Sequence, residues 1–463
     1  MGARDHFITT GEWLVKKLLI ASALGMLVTA PALAQQNSAM DQVLKELAKL
    51  NERVGRLEQD NTQLRTENST LRESNDRMEA TSEYLKDNAT ATRKQLAQDG
   101  PKVAEAERIT KAAEWASRIS WKADLRYRYE SVDPEGAVEQ QRQRIRARLA
   151  MTAKINDTLT GTIGISSSGF NGDPRSTNQT LGDGWSRKAV GLDLAYVDWK
   201  PVDSFGMTFG KMPQPWYKVT GYFFDNDINP EGIAARFGSG PFFANAFAMA
   251  LSERSAASDA SLLGGQFGLT SQFGGVKLTG AVGYFDVGSV QGEVTTINLT
   301  TPCTPNQAFY LGPQGNTTVN NLAGCPTLLN DFNMIEALAQ AEFTIANQPL
   351  QIFAQYIQNQ EADDLDSGYL AGFNWGKASN PRSWEFGYAY GVMEKDAQFG
   401  QFIDSDFGGG VTDTDGSVIK IGFAPAKNWV LNGTYFMNDR FIDAPGATER
   451  SYDRYQIDMN FKF

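Results

Sequence analysis

The sequence is poor in histidine and cysteine and has no long apolar run after its N-terminal region. His6, Cys303 and Cys325 are the only residues of those two types among 463. A serine or cysteine nucleophile needs an imidazole base, and His6 falls in a segment that we expect to be removed. We therefore predict no enzyme, no catalytic residue, no metal site and no cofactor. No later stretch has the roughly 18 apolar residues that a spanning helix requires.

The charge balance excludes another class of protein. The chain carries 43 basic and 54 acidic residues, with a formal net charge of −11 at pH 7. General nucleic-acid binders are basic, because they neutralise phosphates. We therefore expect no nucleic-acid partner.

The N-terminus has the three parts of a secretory signal. Lys16 and Lys17 precede the apolar run LLIASALGMLV (Leu18–Val28), and an Ala-x-Ala site follows at Ala32–Ala34. This pattern predicts a signal peptide over residues 1–34, with a short membrane anchor as the alternative.

The two cysteines fall in the longest stretch without a strand pattern, residues 289–332. An exported chain meets an oxidising compartment, where thiols can pair. We predict a disulfide between Cys303 and Cys325. A metal pair is disfavoured, because no histidine is available beside them.

Residues 40–88 repeat with a heptad period, in which apolar residues hold the d positions and asparagine holds three a positions. The d positions are Val43, Leu50, Leu57, Leu64, Leu71, Met78 and Leu85, and the a positions are Met40, Leu47, Val54, Asn61, Asn68, Asn75 and Ser82. This seam predicts an N-terminal α-helical coiled coil over residues 35–100. A linker helix over residues 101–120 would follow. Asparagine at a positions favours a dimer.

From Trp121 onward the apolar period is two. In WKADLRYRYE (Trp121–Glu130) and in the final YDRYQIDMNFKF, apolar and polar residues alternate, as side chains do on the two faces of a strand. Turn residues divide 121–463 into sixteen strands, joined alternately by seven short turns and eight longer loops. This order predicts an all-β transmembrane barrel of about sixteen antiparallel strands with an aqueous lumen.

The second predicted strand, QRQRIRARL (Gln141–Leu149), has an arginine at every second position. The residues between them include an apolar set that would face lipid, so the arginines would face the lumen. The predicted pore-lining residues on the first two strands are Lys122, Arg126, Arg128, Arg142, Arg144, Arg146 and Arg148. These side chains could set ion preference. Alternatively, they could form structural ion pairs with lumenal acids such as Asp124, Asp193, Glu336 and Glu385.

A coiled coil, a barrel with an R-x-R-x-R strand, the segment LAYVDWKP…MTFGKMPQPW (Leu194–Trp216) and a terminal phenylalanine occur in that order. This layout resembles a family of Gram-negative outer-membrane porins and is similar to that of the phosphate-selective porins. The resemblance implies a homotrimer in the cell outer membrane, in contact with lipopolysaccharide, with the coiled coil in the periplasm. It also implies that the barrel-assembly machinery reads Phe461 and Phe463. The bases concentrate on two strands, so phosphate selectivity is not supported.

The resemblance further implies that the third external loop, Pro213–Pro230, folds into the barrel as a constriction. Lys218, Asp225 and Asp227 would then face the arginines and create a transverse field. The alternative is an external loop that rests on a neighbouring subunit. We expect the acidic, glycine-rich segment Asp404–Ser417 to be a solvated loop, with binding of divalent ions together with lipopolysaccharide as the alternative.

These features predict a water-filled pore for passive diffusion of small hydrophilic solutes and ions, with weak anion selectivity. One alternative is a substrate-selective anion channel that depends on the arginines. The other is a structural tether, in which the barrel is an anchor and the coiled coil reaches the peptidoglycan.

Overall fold

The computed structural model describes residues 36–98, 115–168, 173–254, 258–295, 312–443 and 448–463. The chain divides into two compact units, Met1–Thr110 and Lys111–Phe463. The predicted signal peptide lies outside the described residues, as do residues 99–114 of the predicted linker. Among the described residues, no helix combines the length and the hydropathy of a transmembrane span.

The first unit contains one helix, α1, which spans Gln36–Gln98. Ion pairs one turn apart, such as Arg56 with Glu52 and Arg77 with Glu73, support it. The heptad side chains that the structure describes are exposed: Leu50, Val54, Leu57, Leu64, Leu71, Met78 and Leu85. Burial of this seam would need another chain, so the coiled coil stays a prediction.

The second unit contains sixteen long strands, the number that the sequence predicts. They are β1 Ile119–Pro134, β2 Gln140–Lys154, β3 Leu159–Ser166, β4 Gly191–Val202, β5 Phe205–Lys211, β6 Glu231–Ser239, β7 Phe242–Ser252, β8 Ala260–Phe273, β9 Val276–Gly288, β10 Phe332–Ile345, β11 Gln348–Asn359, β12 Ser367–Gly376, β13 Trp384–Met393, β14 Thr414–Ala426, β15 Trp429–Arg440 and β16 Arg450–Lys462. The prediction of a linker helix up to residue 120 was wrong at its end, because Ile119 and Ser120 already pair with β2.

The strands close into an antiparallel barrel, which confirms the predicted fold class. Consecutive strands pair along the chain, and β1 pairs with both β2 and β16. At this seam, Tyr127 lies opposite Met459 on one side and Ile145 on the other. Closure satisfies the backbone hydrogen bonds of every strand, as a lipid environment requires.

The two faces of the strands differ as the sequence predicted. On β16, Tyr455 and Ile457 are exposed on the outer face, whereas Arg454, Gln456 and Asp458 are buried on the inner face. Successive side chains of a strand point to opposite sides, so a period of two yields an apolar exterior and a polar lumen.

Two long loops fill part of the lumen. Loop L3 (residues 212–230) joins β5 to β6, and loop L7 (residues 394–413) joins β13 to β14. Their buried aromatic side chains form what we call the aromatic plug: Trp216, Tyr222, Phe223, Phe224, Phe399, Phe402 and Phe407. The plug packs mainly on inward-facing residues of β7 to β12, with ring centroids of Trp216 and Phe285 5.4 Å apart and those of Phe399 and Phe332 5.5 Å apart. The open part of the lumen therefore lies to one side.

Removal of Phe463 is expected to reduce the amount of assembled barrel. The backbone of Phe463 exchanges two hydrogen bonds with Ala123, of 2.8 and 3.0 Å, and these extend the pairing of β1 with β16. Each such bond contributes about 1 kcal/mol in water and more in lipid. Heat-modifiable mobility of outer-membrane protein in SDS gels measures assembly, with Phe463→Trp as the aromatic control. If the chain without Phe463 and the Phe463→Trp variant give equal amounts of folded barrel, the terminal ring and its pairing with Ala123 have no role in assembly.

Candidate functional site

The arginines of the first hairpin form one charged wall of the lumen. The register places Arg126 opposite Arg146 and Arg128 opposite Arg144. Like charges directly across two strands repel, so this wall needs acidic partners nearby. The apolar residues between them face outward, with Leu149 and Tyr127 exposed.

The hairpin supplies two of those acids itself. Glu130, which is fully buried, pairs with Arg142 at 2.6 Å and with Arg144 at 3.3 Å. Asp124 pairs with Arg146 and Arg148, each at 2.8 Å. Each carboxylate thus bridges two arginines of β2. Of the lumenal acids that the sequence suggested as partners, only Asp124 makes these pairs.

A second set of pairs joins this wall to loop L7. Arg128 donates two hydrogen bonds to Asp458 on β16, of 2.7 and 2.9 Å, and one of 3.1 Å to Asp406 of L7. Arg454 of β16 also binds Asp406. Burial alone would raise the pKa of Asp406, but Arg128 and Arg454 hold this pKa below its usual range. Asp406 is therefore ionised when it bridges the two arginines.

Loop L3 lies inside the barrel. The backbone N–H of Tyr217 donates to Gln266 at 2.8 Å, its hydroxyl donates to Gln340 at 2.9 Å, and Gln355 donates to Thr220 at 2.8 Å. These partners belong to the inner faces of β8, β10 and β11. Hydrogen bonds from three strands and the aromatic plug together fix the path of the loop.

The three predicted residues of L3 take different places. Asp227 pairs with Arg148 at 3.2 Å, so it faces the arginine wall as expected. Asp225 accepts a hydrogen bond from the backbone of Ser405 in L7 instead. Lys218 donates to Gln214 and to the carbonyl of Phe224, within L3 itself, and burial lowers its pKa to about 8. The expectation that Lys218 faces the arginines was wrong.

Loops L3 and L7 are joined to each other. The N–H of Asp225 donates to the carbonyl of Phe402 at 2.7 Å, and the N–H of Asp404 donates to the carbonyl of Tyr222 at 3.1 Å. Burial, and then the neighbouring charge of Asp404, raises the pKa of Asp225. The prediction of a solvated loop over Asp404–Ser417 was therefore wrong, because half of these residues are buried, the others are partly buried, and residues 414–417 belong to β14.

The glycines of L7 allow this path. Gly408, Gly409 and Gly410 all have positive φ, of 52°, 71° and 79°, a conformation that glycine adopts without steric penalty. A Cβ on Gly409 would overlap the side chains of Arg440 and Tyr452. The three glycines thus turn the chain tightly beside the wall and bring Asp406 within reach of Arg128.

Loop L2 (residues 167–190) adds a base that the sequence pattern did not reveal. Arg175 is buried and donates to the carbonyls of Gly400 and Gly410 in L7, at 3.1 and 2.8 Å. It also pairs with Asp173 at 3.1 Å. A single arginine in a loop has no periodic signal, so only the folded contacts show that it anchors L7.

The walls and loops enclose a cavity of about 710 Å³ in the open part of the lumen. Its basic lining residues are Arg126, Arg128, Arg146, Arg148, Arg175, Lys420 and Lys462, and its acidic ones are Asp225, Asp227, Glu385, Asp404, Asp406 and Asp458. Seven basic side chains thus meet six acidic ones. Such a surface suits water, ions and polar solutes rather than apolar ligands.

The remaining predicted residues are placed as follows. Lys122 is exposed near the short-turn end of β1, and Lys122, Arg142 and Arg144 do not line the cavity. Cys325 is disulfide-bonded, whereas Cys303 lies outside the described residues, so their pairing stays a prediction. Phe461 and Phe463 are exposed on the outer face. The part of the chain that the structure describes holds no acidic, histidine or cysteine cluster suited to a metal ion.

A closed sixteen-stranded barrel with a charged, loop-narrowed lumen defines a porin-type channel of the outer membrane. The chain belongs to the family described as "Putative porin", which matches residues 132–324 and 328–463. The predicted family resemblance is thereby confirmed.

The chain is similar to several solved structures, one of which shares its fold with a TM-score above 0.5. The high-pH structure of OprB from Pseudomonas putida is 12% identical, with a TM-score of 0.52 over 76% of this chain and 96% of that chain. Salmonella typhi OmpF in complex with daunomycin is 10% identical, with a TM-score of 0.45 over 74% and 97%. The trimer form of Vibrio cholerae OmpT is 12% identical, with a TM-score of 0.43 over 74% and 99%. No curated protein sequence matches the chain.

Proposed function

We propose that the protein is a water-filled channel through which small hydrophilic solutes and ions diffuse passively across the outer membrane. The observation that carries the proposal is the 710 Å³ cavity, whose lining is dominated by charged and amide side chains. The aromatic plug narrows the lumen without filling it, because it packs on the opposite wall. Passive diffusion needs no catalytic group, so the proposal is of a channel and not of an enzyme.

The proposed ion preference is weakly anionic. Most arginines of the wall are held by acids: Asp124, Glu130, Asp227, Asp406 and Asp458. Arg126 is less well matched, since its Nε donates to Asn460 at 2.9 Å and its nearest carboxylate, on Asp458, is 3.7 Å away. Most arginines of the wall thus form structural ion pairs, and Arg126 leaves a small excess of positive charge in the lumen.

The partners of the channel are part of the proposal. The exposed apolar exterior suits lipid and lipopolysaccharide, and the seam of α1 suits further copies of this chain. We assign α1 to the periplasm and the assembly to a homotrimer, with a contact of α1 to peptidoglycan left to experiment.

Exchange of Arg144 and Arg146 for glutamate is expected to move the reversal potential in a KCl gradient from the anion side to the cation side. The exchange leaves Glu130 and Asp124 with fewer bases and adds two acids to the wall. For a monovalent ion, a tenfold gradient limits this potential to about 59 mV. We expect the change of sign to occur well within that limit.

The matched control is Arg93→Glu with Lys94→Glu, which makes the same charge change on α1, outside the heptad seam. If the glutamates prevent folding, the milder double variant Arg144→Gln with Arg146→Gln is used instead. Heat-modifiable mobility shows whether each variant has folded into a barrel. An unchanged reversal potential in a folded, conducting variant would mean that these arginines lie outside the permeation path. Absence of any conductance from the unmodified protein would refute the channel itself.

A further inference from the structure

The eight long loops are strongly acidic. L3 and L7 fold into the lumen, and the other six loops, residues 135–139, 167–190, 253–259, 289–331, 360–366 and 441–449, together hold 14 aspartates and glutamates against 4 lysines and arginines. Long loops of an outer-membrane barrel lie on the external side. The external mouth therefore carries a large share of the negative charge of the protein.

These acids are crowded in the folded barrel. Burial raises the pKa of Asp443 in the last long loop, and the charges of Asp413, Glu394 and Asp364 raise this pKa further. The four residues come from three different loops, so the crowding arises from the fold and not from one acidic run. A mouth of this kind concentrates cations within about a Debye length, roughly 10 Å at 0.1 M salt.

The end with the short turns has the opposite balance. Its turn acids are matched, Asp157 by Lys154 at 2.8 Å and Asp203 by Lys200 at 3.2 Å. The turn bases Lys377, Arg382 and Lys427 form no ion pair within the described ranges of the chain. The short-turn rim is therefore positive.

Unpaired lysines continue this positive charge into the lumen. Lys420 and Lys462 line the cavity, and Lys122 lies on the inner face of the neighbouring strand β1. None of the three makes an ion pair among the residues that the structure describes. Glu385 lines the same cavity and accepts a hydrogen bond from the backbone of Ala378. Asp124 lies opposite Lys462 but already pairs with Arg146 and Arg148, and the charge of Lys420 acts on Asp404 of L7. The three lysines thus add positive charge below the arginine wall, whose own charges are mostly matched.

We infer that the pore is electrically bipolar along its axis, with an acidic external mouth and a basic short-turn end, and that it rectifies ion current. This inference rests on the proposed channel function. When the external side is positive, cations enter through the acidic mouth and anions through the basic end, so both accumulate where the two regions meet. The opposite polarity withdraws both ions and depletes the same region. The larger current therefore flows when the external side is positive.

Single channels of the full-length protein in planar bilayers test this inference with 0.1 M KCl on both sides. We expect the currents at equal and opposite voltages to differ on the order of twofold, and the ratio to fall toward one at 1 M KCl as screening increases. A biotin acceptor peptide is inserted at Val138, which is exposed in the first long loop. Streptavidin added to one chamber then shows which chamber the external side of the channel faces. Equal currents at 0.1 M KCl, or a larger current with the external side negative, would overturn the inference. Absence of current would instead refute the channel.

Two variants separate the two ends. Asp363→Asn, Asp364→Asn and Asp443→Asn together remove external charge, and Lys122→Gln, Lys420→Gln and Lys462→Gln together remove internal charge. Each triple variant is expected to bring the current ratio closer to one. The control is Asp76→Asn with Glu83→Gln and Asp87→Asn on α1, which should leave the ratio unchanged. If the control alters the ratio as much as the external variant, net charge and not its position is responsible, and the inference fails.

Discussion

Replacement of Phe399 and Phe402 together by serine is expected to raise single-channel conductance on the order of twofold, because it loosens the aromatic plug from the barrel wall. Truncation of a buried phenylalanine to a small residue destabilises its surroundings by about 3–5 kcal/mol. Phe399 contacts Phe332 of β10, and Phe402 contacts Phe224 of L3, with ring centroids 5.5 and 6.0 Å apart. Loss of both contacts loosens the packing of L7 on β10 and on L3, while its backbone hydrogen bonds to L3 and the ion pairs of Asp406 remain.

The barrel itself should survive this change, because its strands are held by their own ladders of backbone hydrogen bonds. The control is Phe242→Ser with Phe267→Ser, which removes two stacked rings from the exposed outer face. Bilayer conductance in 1 M KCl is compared among the folded variants. If the plug variant conducts like the unmodified protein, L7 does not limit the open cross-section.

The barrel was predictable from the sequence because each strand carries its own signal. An inner polar face and an outer apolar face require a period of two, and short turns must alternate with long loops in an outer-membrane barrel. Lipid imposes these rules on every strand independently. Errors at strand ends therefore did not propagate: β1 extends beyond both ends of the predicted segment Trp121–Glu130, yet the sixteen strands remain in order.

The arginine wall was visible in the sequence, but its partners were not. Asp124 and Glu130 lie on the predicted neighbouring strand, so their pairing with β2 follows from a hairpin register. Asp458 comes from the last strand, and it meets Arg128 only because the barrel closes. A count restricted to the first two strands thus overstated the positive charge of the lumen.

The inward path of L7 could not be predicted from local pattern. Its acidic, glycine-rich composition is also typical of an exposed loop. The path of L7 depends on contacts between residues far apart in the sequence. Asp406 pairs with arginines of β1 and β16, and Arg175 of L2 donates to carbonyls of L7. Aromatic residues such as Phe399 and Phe402 within the same loop were the one signal that could have indicated burial.

Neutralisation of Asp406 is expected to give the largest change in ion preference of any single substitution in the lumen. Asp406→Asn removes the carboxylate that bridges Arg128 and Arg454, both of which are buried. Removal of one partner of a buried ion pair destabilises the protein by about 3–5 kcal/mol, because the other partner is left as an uncompensated buried charge. Arg128 keeps Asp458, whereas Arg454 loses the one acid with which it pairs in the described structure.

The guanidinium of Arg454, left without its acid, can contact water only if L7 moves aside. This movement exposes positive charge to the pore. We therefore expect the reversal potential of Asp406→Asn in a KCl gradient to shift toward anions, together with larger current fluctuations. Asp404→Asn is the matched control, because Asp404 binds no arginine and burial raises the pKa of its carboxyl. The double variant Asp406→Asn with Arg454→Gln removes both charges, so it should restore quiet currents and much of the original preference. Identical shifts in Asp404→Asn and Asp406→Asn would show that the bridge to Arg128 and Arg454 has no special role in selectivity.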